Sequence, residues 1–123
     1  MDVKEKQNLK VIIISDGTGE TAKSMTHAAM AQFHDKEIFF TRYKNVVTEE
    51  HIDAIFQEAA IHHDMVVYTI VSPELRLYVQ KLSRKERVRS VDLLGPLLTS
   101  FANVFETEPD YQPGLLHAVN DKY

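Results

Sequence analysis

Apolar residues alternate between two rhythms along this chain, and the alternation recurs. Lys10-Val11-Ile12-Ile13-Ile14-Ser15 is a β-branched run whose interior residues all have apolar neighbours, the pattern of a strand buried on both faces. Asp16-Gly17-Thr18-Gly19 interrupts it with turn chemistry. From Glu20 the period lengthens: Ala22, Met25, Ala29 and Phe33 recur at helical spacing. A second strand follows at Ile38-Phe39-Phe40-Thr41-Arg42-Tyr43. Thr48 then caps a helix with Glu49 and Glu50 in its first turn and Ile52, Ile55, Phe56 and Ala59 on its apolar face. Met65-Val66-Val67-Tyr68-Thr69-Ile70-Val71 is the third strand. Ser72-Pro73-Glu74 opens the next helix with a cap, a proline and an acid, and Leu75, Tyr78, Val79 and Leu82 continue it.

A fourth strand is expected at Ser90-Val91-Asp92-Leu93-Leu94, followed by a helix from Gly95-Pro96 that carries Leu97, Leu98, Phe101 and Phe105. Residues 106–114 hold Pro109, Pro113 and Gly114 and read as loop. Leu115-Leu116-His117-Ala118-Val119 reads as the start of a further helix, so a truncated chain is expected. Strands alternating with helices at these lengths predict one α/β domain over residues 1–123. Its architecture is a doubly wound, Rossmann-like parallel sheet of about four strands, with helices on both faces. Ligands of such sheets bind at the carboxyl ends of the strands. The loops after Ile14, Tyr43, Val71 and Asp92 are therefore the places for chemistry.

Composition narrows the class. The 123 residues include no Cys, which excludes disulfides and cysteine-ligated metals, and a net charge of −4 argues against sequence-independent nucleic-acid binding. No apolar run approaches the ~20 residues of a membrane span, and the polar first eight residues lack the core of a secretory signal. A cytoplasmic protein is the expectation, without a membrane or nucleic-acid partner.

The loop Ser15, Asp16, Gly17, Thr18, Gly19, Glu20 and Thr21 is the main candidate site. It leaves a strand and opens a helix, where free N–H groups attract anions and glycine admits a phosphate. Ser15, Thr18 and Thr21 add hydroxyl donors, whereas Asp16 and Glu20 would repel a bare phosphate. The loop equally suits a tight turn whose hydroxyls satisfy its own backbone. Arg42 is a candidate phosphate clamp or a surface strand arginine. Thr69 and Asp92 are secondary candidates, Thr69 as a buried strand residue and Asp92 as a helix cap or an orienting carboxylate. No catalytic residue and no metal ligand is assigned. His62-His63-Asp64 reads as a helix end, because adjacent residues on a helix do not converge on one ion. Residues 84–89, basic within an acidic chain, suit either a solvated helix end or a docking patch.

These segments, in this order, resemble a known family. Ile14-Ser15-Asp16-Gly17-Thr18-Gly19-Glu20-Thr21-Ala22, Tyr68-Thr69-Ile70-Val71, Val91-Asp92-Leu93-Leu94-Gly95-Pro96-Leu97-Leu98 and Pro113-Gly114-Leu115-Leu116-His117 are similar to the N-terminal part of the bacterial bifunctional regulatory kinase/pyrophosphorylases. The resemblance implies a switch enzyme controlling pyruvate, phosphate dikinase or phosphoenolpyruvate synthase. The family phosphorylates a target threonine with ADP as donor and removes the phosphate with inorganic phosphate. ADP, phosphate and Mg²⁺ are thus implied for the whole family chain, with no cofactor assigned to this part. The family's P-loop lies further along, and no G-x-x-x-x-G-K-[ST] occurs here. The signature loop maps onto Ser15 to Thr21, and what it binds stays open. A flavodoxin-like module holding flavin mononucleotide and a non-catalytic docking domain are the alternatives. An absent second domain would leave an apolar patch on which two copies can pair, so a homodimer is one expected assembly.

Overall fold

A computed structural model describes residues 8–63 and 65–113. The elements run β1 (Asn8–Ser15), α1 (Glu20–Met30), β2 (Glu37–Tyr43), α2 (Glu49–His62), β3 (Met65–Thr69), α3 (Pro73–Glu86), β4 (Arg89–Asp92) and α4 (Gly95–Phe105). All strand pairs are parallel, in the order β2-β1-β3-β4. The fold is therefore the doubly wound α/β sheet that the alternation predicts, with helices on both faces.

Local chemistry explains the element boundaries. Thr48 Oγ1 accepts from the His51 N–H at 3.1 Å and starts α2, and Ser72 Oγ accepts from the Leu75 N–H at 3.2 Å and starts α3. The fourth strand is shorter than expected and begins earlier. Asp92 Oδ1 accepts from the N–H groups of Leu94 and Gly95, so the chain turns at Leu93 and Leu94 instead of extending. Leu93 still donates its N–H to the Tyr68 carbonyl, the last tie to β3.

The central strand is sealed from both sides, with Val11 to Ser15 all buried. Ile12 and Ile14 point toward α2 and α3, where Ile52, Ile55, Phe56, Ala59, Val79 and Leu82 close the larger core. Val11 and Ile13 point the other way, toward Ala22 of α1, with Val67 and the half-buried Phe40 and Leu93 beside them. This second core is thin. Of the helical stripe expected from Ala22 to Phe33, Ala22 is buried, whereas Met25 is 48% and Phe33 60% exposed. Phe33 lies beyond the end of α1, in a turn closed by the Phe33 N–H on the Met30 carbonyl. The helix start expected at residues 115–119 lies outside the described residues.

Candidate functional site

The chain leaves β1 toward β2 on one side and reaches β3 on the other, so the switch of direction falls between β1 and β3. Ser15 and Thr69, the last residues of these strands, are register partners there. A doubly wound sheet opens a crevice at that point. The crevice here is a cavity of about 400 Å³ lined by every residue from Ser15 to Thr21, with Thr69, Val71, Leu94 and Leu98. Pro109 to Gln112 also line it.

Asp16 fixes the floor. Its Oδ2 accepts from the Val71 N–H at 2.8 Å, and its own N–H reaches the Thr69 carbonyl at 3.3 Å. One side chain thus ties the turn after β1 to the turn after β3. Burial pushes the Asp16 carboxyl above its ordinary 3.8, against the pull of the Val71 N–H and the Arg76 charge. Glu20, the second acid of the loop, takes Arg42 Nη1 on its Oε2 at 2.9 Å. Both carboxylates that oppose an anion therefore have internal partners.

The donors divide. The Gly17 N–H is held by Ser15 Oγ at 2.9 Å and the Glu20 N–H by Thr18 Oγ1 at 3.3 Å. To that extent the turn satisfies itself, as the sequence allowed. A hydroxyl that accepts an N–H keeps its own O–H to donate. Thr18 and Thr21 are exposed at the cavity, and Ser15 is buried at its base. Gly19 precedes α1 at φ 84 with no side-chain cap, so the first-turn N–H groups of Thr21 and Ala22 lack an intrahelical acceptor. The left-handed φ at Gly19 calls for glycine, and a Cβ there would stand 2.8 Å from Arg42 Cδ and push the arginine's methylenes aside.

The sequence candidates do not all meet. Thr69 joins the loop in the cavity wall. Arg42 lies outside that wall, its methylenes over Gly19 and its guanidinium on Glu20. Asp92 does not join the loop. It caps α4, faces Arg76 Nε at 3.8 Å and lines a separate cavity with Arg76 and Gly95. Arg76 Nη1 also donates to the carbonyls of Ile70 and Val71, which braces the turn that Asp16 grips. Leu94, Leu98 and Pro109 to Gln112 were not anticipated as site residues. Leu94 and Leu98 come from the entry and first turn of α4, and Pro109 to Gln112 reach the cavity through the return of the chain after it, which no local motif marks.

Asp16 is committed to Val71 and Glu20 to Arg42, and no group of three His, Asp or Glu residues able to hold a metal occurs among the described residues. His63 instead reaches Thr41 Oγ1 through Nε2 at 3.3 Å, and Asp64 lies outside the described residues. No described helix is long and apolar enough to cross a membrane.

A family model described as kinase/pyrophosphorylase matches residues 11–123. A provisionally named pyruvate, phosphate dikinase regulatory protein 2 of Staphylococcus haemolyticus is 39% identical over 119 residues, covering 95% of this chain and 44% of its own length. A regulatory protein 1 of Staphylococcus epidermidis, provisionally named in the same way, is 35% identical over 94% of this chain and 43% of its own. A counterpart in Alkaliphilus metalliredigens is 34% identical over 95% and 42%. The chain thus spans less than half the length of these curated relatives. Among solved structures, the solution structure of a phosphate-loop protein is similar at a TM-score of 0.43 with 23% identity, covering 78% of this chain and 87% of that one.

Proposed function

The chain belongs to the kinase/pyrophosphorylase family, and from that premise we propose that it is the N-terminal part of a regulator of pyruvate, phosphate dikinase or phosphoenolpyruvate synthase. The whole protein phosphorylates a target threonine with ADP and reverses the modification with inorganic phosphate. In this division of labour the present chain contributes a phosphate-accepting surface for substrate or target, and phosphoryl transfer occurs at the P-loop that the family resemblance puts further along.

The observation that carries the reading is the switch-point cavity. Ser15, Thr18 and Thr21 and the uncapped start of α1 line it, while Asp16 and Glu20, its two acids on the loop, are each bonded elsewhere. The same inventory limits what the chain does alone. Phosphoryl transfer needs fixed cationic or metal contacts to the moving group and a residue that positions the attacking hydroxyl. Among the described residues, the cavity wall offers neither lysine nor arginine.

Two measurements test this. Titration with inorganic phosphate, followed by amide chemical shifts, is expected to move Gly17 to Thr21; shifts confined elsewhere return the loop to a plain turn. The chain is then mixed with ADP, Mg²⁺ and a dikinase, beside a version extended through the P-loop. Threonine phosphorylation is expected from the extended version alone. Equal turnover from both would place the active site in this half.

A further inference from the structure

Asp16 stands at the floor of the switch-point cavity, and only half of its carboxylate is in use. Its Oδ2 accepts from the Val71 N–H, while no other described residue donates to its Oδ1. Two hydroxyls share the wall with it. Ser15 Oγ accepts from the Gly17 N–H and keeps its own O–H to give. Thr69, the register partner of Ser15, is 9% exposed, and its hydroxyl has no hydrogen-bond partner among the described residues. Val67, two residues earlier on β3, packs toward α1. The alternation of the strand therefore puts the Thr69 side chain on that same face, where the cavity lies. A hydroxyl so buried and unbonded calls for a partner within the cavity.

We propose that Asp16 Oδ1 reads a proton on the bound oxyanion, so that the cavity takes hydrogenphosphate, which carries a P–O–H, and rejects sulfate, which carries none. This rests on the phosphate-accepting reading above and adds its selectivity. Charge argues for it. With no described lysine or arginine in its wall, the cavity holds an anion through hydrogen bonds, and the direction of each bond then matters. The Ser15 and Thr69 hydroxyls and the uncapped start of α1 supply donors. An ionised Asp16 Oδ1 can only accept. Against a ligand oxygen that bears hydrogen, it completes a charge-assisted bond. Against a bare one, it sets lone pair against lone pair at a half-buried site where water screens poorly. Burial also raises the carboxyl's affinity for a proton, which favours sharing the ligand's. The other charges nearby do not replace it. Glu20 is held by Arg42, Arg76 is bonded to the carbonyls of Ile70 and Val71, and Asp110 stands exposed in the wall.

The test titrates the complete chain with sodium phosphate, sodium sulfate or methyl phosphate at matched ionic strength, following the amide shifts of Gly17 to Thr21. It is run at about pH 8, where a phosphomonoester has lost its last proton and inorganic phosphate keeps one. Phosphate is expected to bind at least about tenfold more tightly than either of the others, the effect of one hydrogen bond to a charged group. Asp16→Asn keeps an oxygen for the Val71 N–H and presents an amide donor where Oδ1 stood. The gap between phosphate and sulfate should then close to within about threefold, chiefly through tighter sulfate. Asp110→Asn removes a charge from the same wall and should shift both anions together, leaving their ratio as in the wild-type chain. Thr69→Val should weaken phosphate binding about tenfold. Equal affinity for phosphate and sulfate in the wild-type chain, or selectivity that survives Asp16→Asn, overturns the proposal and leaves a plain oxyanion site. Methyl phosphate bound as tightly as phosphate overturns it too. If none of the three moves Gly17 to Thr21, the phosphate-accepting reading itself fails, and this proposal with it. Should Asp16→Asn lose its folded spectrum, the wild-type comparison of the three anions decides alone.

Discussion

Helices α2 and α4 carry apolar residues at the same kind of spacing, and the fold treats them oppositely. Ile52, Ile55, Phe56 and Ala59 of α2 are at most 2% exposed, pressed on the sheet beside Ile12 and Ile14. Leu97, Phe101, Val104 and Phe105 of α4 stand largely in water. The polar faces differ in the way that decides the matter. Glu49, Glu50, Asp53, Gln57 and Glu58 give α2 a solvent side, so its apolar side has one place to go. The α4 helix has no charged side, and its apolar residues exceed what this sheet can cover. Periodicity thus reports a face that seeks cover, and only the amount of sheet available decides whether cover comes from the same chain.

The largest expected effect breaks this contrast if it fails. Phe56→Ala removes a ring from the packed core and should cost about 3–5 kcal/mol of folding stability. Phe101→Ala, at a ring 55% exposed, should cost less than about 0.5 kcal/mol. Urea unfolding followed by circular dichroism gives both values. Comparable losses at the two positions would mean that α4 is packed within its own chain.

The caps give the next rank. Thr48→Ala removes one acceptor from the start of α2 and should cost about 1 kcal/mol. Asp92→Ala strips acceptors from two N–H groups and the carboxylate facing Arg76, and should cost about 2 kcal/mol. The less buried helix is thus expected to depend more on its cap. The same unfolding curves decide the order, and a larger loss at Thr48 would reverse it.

The backbone of this fold was legible in the sequence because its signals are local. A β-branched run, Thr48 with two acids behind it, and Ser72 before Pro73 each state an element within a few residues. The switch-point loop was legible for the same reason, as a glycine turn between a strand and a helix. Arg42 and Asp92 were ambiguous because their partners are distant in sequence. Only the folded chain sets Glu20 before Arg42 and the turn N–H groups before Asp92. The far wall of the cavity, from Pro109 to Gln112, was illegible. It depends on where the chain returns after α4, which no residue in that stretch encodes alone. The exposure of α4 was hidden likewise, since an apolar stripe reads the same whether covered or bare.

The smallest expected effect lies between the sealed face and the bare one, at Asp16, which is half-buried. Burial raises its carboxyl above the ordinary 3.8, so the folded chain holds a proton there more tightly than the unfolded chain does. Stability from this group is therefore fully present below that pH, and it is lost as pH rises through the raised value in the folded state. Asp16→Asn keeps an oxygen to accept from the Val71 N–H and has no charge to desolvate. Compared at a series of pH values upward from 3.8, the variant should show a flatter decline than the wild-type chain, with the two curves coinciding at the acid end apart from a constant offset. Taking the difference between the two proteins removes the share of every other group. If the wild-type chain instead gains stability over the variant as pH rises, the Val71 N–H outweighs burial. Asp16 would then be a firmly ionised clamp, and the charge that a phosphate meets in this cavity would be a full one.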